Sequence, residues 1–89
     1  MISRTTTKFR KALARLPESV RVQARRSYRL FQVNPAHPSL RFKQVHAKLP
    51  IYSVRIGKSY RAVGRVDGDT VVWFWVGTHA EYDKLLSHL

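Results

Sequence analysis

Six residues of this sequence have the types and spacing for acid–base and phosphate chemistry: Arg55, Arg61, Arg65, His79, Tyr82 and Asp83. His79 follows Gly77-Thr78, with Tyr82 three and Asp83 four positions on, so a helix starting here brings the three to neighbouring sites of one face. An imidazole at such a helix start can take or give a proton, and the helix end attracts phosphate. In extended backbone, Ser53 and Arg55 share the face opposite Tyr52, Val54 and Ile56, while Arg61, Val63 and Arg65 lie opposite Tyr60, Ala62 and Gly64. Arg55, Arg61 and Arg65 therefore line one sheet face. An arginine fork, always charged, suits the non-bridging oxygens of a phosphodiester.

If the phosphodiester is that of RNA, His79, Arg55 and Arg61 are candidates for the tasks of cleaving it without a metal. The 2′-hydroxyl must lose a proton, the phosphorane must be neutralised, and the leaving 5′-oxygen must gain a proton. His79 is the best base or acid, Arg61 and Arg55 suit the phosphorane, and Tyr82 could stack on a base, donate a proton or pack against the sheet. Plainer readings stand beside these: exposed strand arginines, a surface histidine, a core tyrosine, and for Asp83 a solvated helix carboxylate. Lys43, His46, Lys58 and Arg65 are further candidates for RNA contact. Lys43 and His46 fall on opposite faces of a strand, so one of them can reach the site. Trp73 and Trp75 could stack bases on an open face, although their apolar neighbours favour a core role. No metal or cofactor is expected: cysteine is absent, and His79 and His88 face opposite sides of a helix.

The charge balance points the same way. Seventeen Lys and Arg against five Asp and Glu give +12, above the magnitude of ~2–8 usual for a small domain. Such a surface suits phosphate backbone or an acidic protein. Nine of those cations precede residue 30, on helices that could meet ribosomal RNA, free RNA or an acidic partner. The absence of an apolar leader after Met1-Ile2-Ser3-Arg4, and of any run near the ~20 apolar residues of a membrane span, implies a cytoplasmic protein with no membrane contact.

These groups must be positioned by one domain, residues 1–89, since the chain is too short for two cores. Phe9, Ala12, Leu13 and Leu16 recur at helical spacing after a Thr5–Thr7 cap, and Pro17 ends that element. A second stripe, Val20, Ala24, Ser27, Tyr28 and Phe31, runs to Asn34-Pro35. The two form an antiparallel helical hairpin. Four strands follow, Phe42–Ala47, Ile51–Ile56, Tyr60–Val66 and Thr70–Val76, with separators short enough for an antiparallel meander. The last is apolar throughout, as a central strand covered on both faces should be. A short helix with Thr78 as cap and Glu81 completing a capping box closes the chain. The fold class is α+β: a helical hairpin on a small antiparallel sheet of about four strands, with a short C-terminal helix.

This order of elements, with Tyr52-Ser53-Val54-Arg55-Ile56-Gly57, Tyr60-Arg61-Ala62-Val63 and Val76-Gly77-Thr78-His79, resembles the RelE/ParE superfamily of bacterial type II toxins over nearly the whole length. The resemblance implies an endoribonuclease that cuts messenger RNA, commonly on the ribosome, and is silenced by a small antitoxin with an acidic segment. Arg61 matches the arginine of the RelE-like Tyr-Arg motif, and Arg55 a basic position of the preceding strand. Ser53 stands where RelE has lysine. His79 stands where RelE has arginine and YafQ-type toxins have Gly-Thr-His, which is the closer comparison. Family members open with a strand, for which only Met1–Ser3 is available, so that strand is expected to be missing or vestigial. The ParE branch has this fold yet targets DNA gyrase, so a gyrase inhibitor and a non-catalytic nucleic-acid-binding module are the alternatives.

Overall fold

Two threonines set the helix starts that matter most. Thr6 accepts the Phe9 N–H to open α1 (Thr7–Ala14), and Thr78 caps the last helix, α3 (His79–Ser87). The computed structural model describes residues 1–89. Between these helices run α2 (Glu18–Val33), a short 3-10 turn at Pro38–Leu40, and the strands β2 (Lys43–Gln44), β3 (Ile51–Ile56), β4 (Tyr60–Asp67) and β5 (Thr70–Thr78). The N-terminus supplies β1 (Ile2–Thr5). No helix is long and apolar enough to cross a membrane.

The expected α+β architecture is present, with one strand more than the four of the meander. The sheet order is β1-β5-β4-β3-β2, the meander antiparallel and β1 added parallel to β5. The opening strand is thus neither missing nor vestigial: Ile2–Thr5 pairs with Thr70–Trp73, and Trp73 Nε1 donates to Ser3 Oγ. The second departure is at β2, where the expected strand Phe42–Ala47 shortens to two residues. His46 folds the chain instead, its Nδ1 accepting the Lys48 and Leu49 N–H groups.

Each sheet face has its own core. On one face α1 packs on β5 and α2 on β3, around Phe9, Phe31, Val54, Ile56, Ala62 and Trp73. The helices stay apart enough to leave an apolar cleft of about 390 Å³ over the sheet, rimmed by Arg4, Arg10 and Arg25. On the other face α3 covers a smaller cluster of Ile51, Val63 and Tyr82, with Trp75, Leu85 and Leu86 at its border. Trp73 and Trp75 therefore serve opposite faces, against the simple alternation that gives them one. The pairing moves from Val63 with Trp75 to Gly64 with Trp73, leaving Phe74 unmatched in a bulge that turns the strand over.

Candidate active site

The face beneath α3 collects the residues singled out for chemistry. Arg55 on β3 and Arg61 on β4 are direct cross-strand partners, which sets their Cβ atoms about 4.5–5.5 Å apart. Like charges so placed repel, and each guanidinium is held by a backbone carbonyl: Arg55 Nε donates to Gly57 O and Arg61 Nη1 to Tyr60 O, both at 2.8 Å. Burial of the Arg61 guanidinium, then the charge of Arg55, lower its pKa from the ordinary value; Tyr82 and Asp83 oppose that shift and Arg41 adds to it. An arginine stays charged at neutral pH even so. Two adjacent cations in a partly desolvated place are stabilised by an anion between them, such as a phosphate.

The helix carrying His79 is joined to this strand pair at its first residue. Tyr60 pairs with Thr78, and the His79 N–H donates to Ser59 O at 2.8 Å. Thr78 accepts the Glu81 N–H, and Glu81 Oε1 accepts the Thr78 N–H and hydroxyl. That capping box holds the Glu81 carboxyl below its usual pKa, first through the Thr78 backbone N–H. One turn on, Asp83 Oδ2 accepts from His79 Nδ1 at 3.1 Å. A neutral imidazole whose Nδ1 carries the proton has Nε2 free as the acceptor, and His79 is exposed.

Tyr82 sits behind this pair. Its ring is buried between His79 and Trp75, at 5.8 and 6.5 Å between centroids, and its hydroxyl shares a 2.9 Å hydrogen bond with buried Ser53. So α3 is pinned to β3 at the residue two positions before Arg55. The arrangement joins a potential proton acceptor at the start of α3 to the strand pair that carries the two arginines.

A family model described as a ParE-like toxin domain matches residues 18–84. The chain belongs to the ParE-like toxin domain family. The RelE/ParE superfamily expected from the β3, β4 and α3 motifs is the one found. Among solved structures, this ParE-like domain is similar to the RelB–RelE antitoxin–toxin complex from Methanococcus jannaschii, at 20% identity over 92% of this chain and 96% of that one, TM-score 0.73. The isolated E. coli RelE toxin is similar over 99% and 98% of the two chains at 17% identity, TM-score 0.66. A toxin–antitoxin complex from Mycobacterium tuberculosis matches over 88% and 96% at 23% identity, TM-score 0.63. At such identities the likeness is one of fold. No curated protein sequence matches.

The remaining candidates of this ParE-like domain are more scattered. Arg65 shares the face of Arg61 but lies four residues along β4, opposite Ile51 and Val72, a run of about 13 Å. Lys58 is exposed in the β3–β4 turn. His46 has its Nδ1 taken up by the turn that ends β2, whereas Lys43 pairs with Ser53 and so projects on the side of Arg55. The sequence sets Asp83 beside His79 at i, i+4 and leaves a solvated carboxylate as the plainer reading; in the structure Asp83 is the hydrogen-bond partner of His79. The sequence places Ser53 on the face of Arg55 and marks it as a departure from the family pattern, with nothing to join it to Tyr82. Its bond to Tyr82, 29 residues away, carries no local signature.

Proposed function

We propose that this chain is the toxin of a type II toxin–antitoxin pair and acts in the cytoplasm as a metal-independent endoribonuclease on messenger RNA, associated with the ribosome. The observation that carries this reading is that the helix opened by His79, which bonds Asp83, is joined at its first residue to the turn between the strands that bear the Arg55–Arg61 cross-strand pair.

The chemistry needs no other group. His79 Nε2 takes the proton of the 2′-hydroxyl as its oxygen bonds to phosphorus; the P–O5′ bond breaks, leaving a 2′,3′-cyclic phosphate. Arg55 and Arg61 balance the charge gathering on the non-bridging oxygens. The imidazolium returns a proton to the leaving 5′-oxygen, and Tyr82 holds the imidazole's surroundings through its bond to Ser53. The antitoxin partner is supported by the fold's likeness to chains solved in RelB–RelE complexes. The apolar cleft between α1 and α2, rimmed by three arginines, suits an amphipathic segment with acidic flanks.

The test is incubation of purified protein with translating ribosomes and with naked RNA, both in EDTA. Wild type is expected to cut and leave 2′,3′-cyclic phosphate ends. His79→Ala is expected to lose about 10²–10⁴-fold in rate and Arg61→Ala about 10²–10³-fold. Undiminished cleavage by both variants overturns the site. Intact RNA together with inhibition of gyrase supercoiling selects the gyrase-directed reading, which the ParE-like description of the family keeps in play.

A further inference from the structure

Arg41 has the one positive φ among the non-glycine residues, with φ 48° and ψ 42°. A left-handed arginine costs roughly 1–2 kcal/mol relative to the right-handed form, and strain of that kind gathers where a side chain must be aimed. The turn it ends, Pro38–Leu40, is anchored by Leu40, which is only 1% exposed, and Arg41 itself stays exposed. No hydrogen bond or ion pair engages its guanidinium, and none engages the Lys43 ammonium.

Lys43 is directed to the site, and Arg41 lies two residues before it at the same free sheet edge. Lys43 pairs with Ser53, and Arg55 is the next residue of β3 on that face, a diagonal neighbour about 7–8 Å away between Cα atoms. The same face of β2 is confirmed by its neighbours: Val45 joins the cluster of Ile51, Val63 and Tyr82, while Phe42 stacks on Tyr52 on the other side. The Arg41 charge adds to the lowering of the Arg61 pKa, after burial and the charge of Arg55. The β2 edge carries no further strand, so the approach from solvent is open.

We propose that Arg41 and Lys43 form a second phosphate subsite, which holds the RNA backbone phosphate flanking the scissile one. The strand would run from the start of α3, over Arg61 and Arg55, to the free sheet edge. This rests on the RNA-cleaving reading of the same face. The left-handed backbone of Arg41 serves to turn a guanidinium toward that path.

The experiment uses a labelled, 2′-O-methylated oligoribonucleotide, which cannot be cut, and measures affinity against salt. A single-stranded phosphate contact contributes about 0.7 to the slope of log affinity against log salt. Lys43→Ala and Arg41→Gly are each expected to weaken binding about five- to tenfold and to lower that slope by about 0.7. Arg41→Gly is also expected to hold or raise the melting temperature, since glycine takes a positive φ without strain, so lost binding cannot be ascribed to unfolding. Lys43→Ala combined with Gln44→Lys restores the net charge on the opposite face and is expected to leave binding weak. Recovery by that double variant, or unchanged affinity and slope in the single ones, overturns the subsite. Unchanged RNA binding with weakened binding of polyglutamate also overturns it and assigns the two cations to an acidic protein. If the face-dependent loss is found while wild type leaves ordinary RNA uncut, the subsite stands and the nuclease reading fails.

Discussion

The Tyr82 hydroxyl and the Ser53 hydroxyl meet 2.9 Å apart beneath α3, the serine 2% and the tyrosine 6% exposed. It is the side-chain hydrogen bond that ties the helix of His79 to the strand of Arg55. Removing either partner strands the other in a site that water reaches poorly, a cost of about 1–3 kcal/mol. Tyr82→Phe and Ser53→Ala are each expected to lower stability to urea by roughly that much, and the double variant by less than the sum. Simple additivity would show that the bond contributes nothing. Cleavage separates two roles for Tyr82: a positioning residue predicts that Tyr82→Phe keeps activity within a few fold, because the ring stays between His79 and Trp75. A hundredfold loss would instead make the hydroxyl a proton donor.

Asp83 accepts from His79 Nδ1 on an exposed helix turn, with the two side chains 63% and 51% exposed. A side-chain pair so open to water contributes about 0–1 kcal/mol, so its use lies in orienting the ring. Asp83→Ala is expected to leave the unfolding curve nearly unmoved and to reduce kcat on the order of tenfold with KM little changed. Asp83→Asn keeps an acceptor oxygen and should retain most of the rate. Equal losses in the two variants would remove the orienting role.

The capping box gives the start of α3 a pH dependence with a definite sign. Thr78 donates twice to the Glu81 carboxylate, so the folded pKa lies below the ordinary 4.5. A group depressed in this way adds stability that is fully present above its unfolded value and is lost as pH falls through the folded one. The melting temperature of wild type should exceed that of Glu81→Gln near neutrality, and the gap should close on acidification below about 4.5, the ordinary value. A gap that stays constant to pH 3 would mean that the carboxylate charge is not what the cap uses.

How far the sequence disclosed this arrangement depends on whether the decisive contact is local. Ile51–Ile56 and the starts of α3 and β4 are where periodicity and capping residues put them, because short-range sterics and burial set them. Alternation alone also put Arg55 and Arg61 on one face. β1 was hidden because Ile2-Ser3-Arg4-Thr5 has little strand character of its own and is held by pairing to residues almost seventy positions away. β2 was overestimated because one imidazole captures two backbone N–H groups that a longer ladder would need. Arg41 could not be picked out, since its left-handed backbone has no compositional mark.

Gly64 sits at the register shift that sends Trp73 to the helical hairpin and Trp75 to α3. A Cβ there would lie 2.8 Å from the side chains of both Trp73 and Val71 and 3.0 Å from Val72 O. These atoms belong to buried groups with little room to yield, so Gly64→Ala is expected to cost about 1–3 kcal/mol as overpacking. Gly68 supplies the comparison: its Cβ would meet nothing within 4 Å, but its φ is +60°, so Gly68→Ala should cost only the left-handed penalty of about 1–2 kcal/mol. The two differ in what else moves. Displacing Trp73 shifts β5 against β4, and with it Trp75, against which Tyr82 rests. Gly64→Ala should therefore change tryptophan fluorescence and reduce cleavage, while Gly68→Ala leaves both as in wild type. The same loss of activity in the two variants would detach the bulge from the site and leave Trp75 as packing alone.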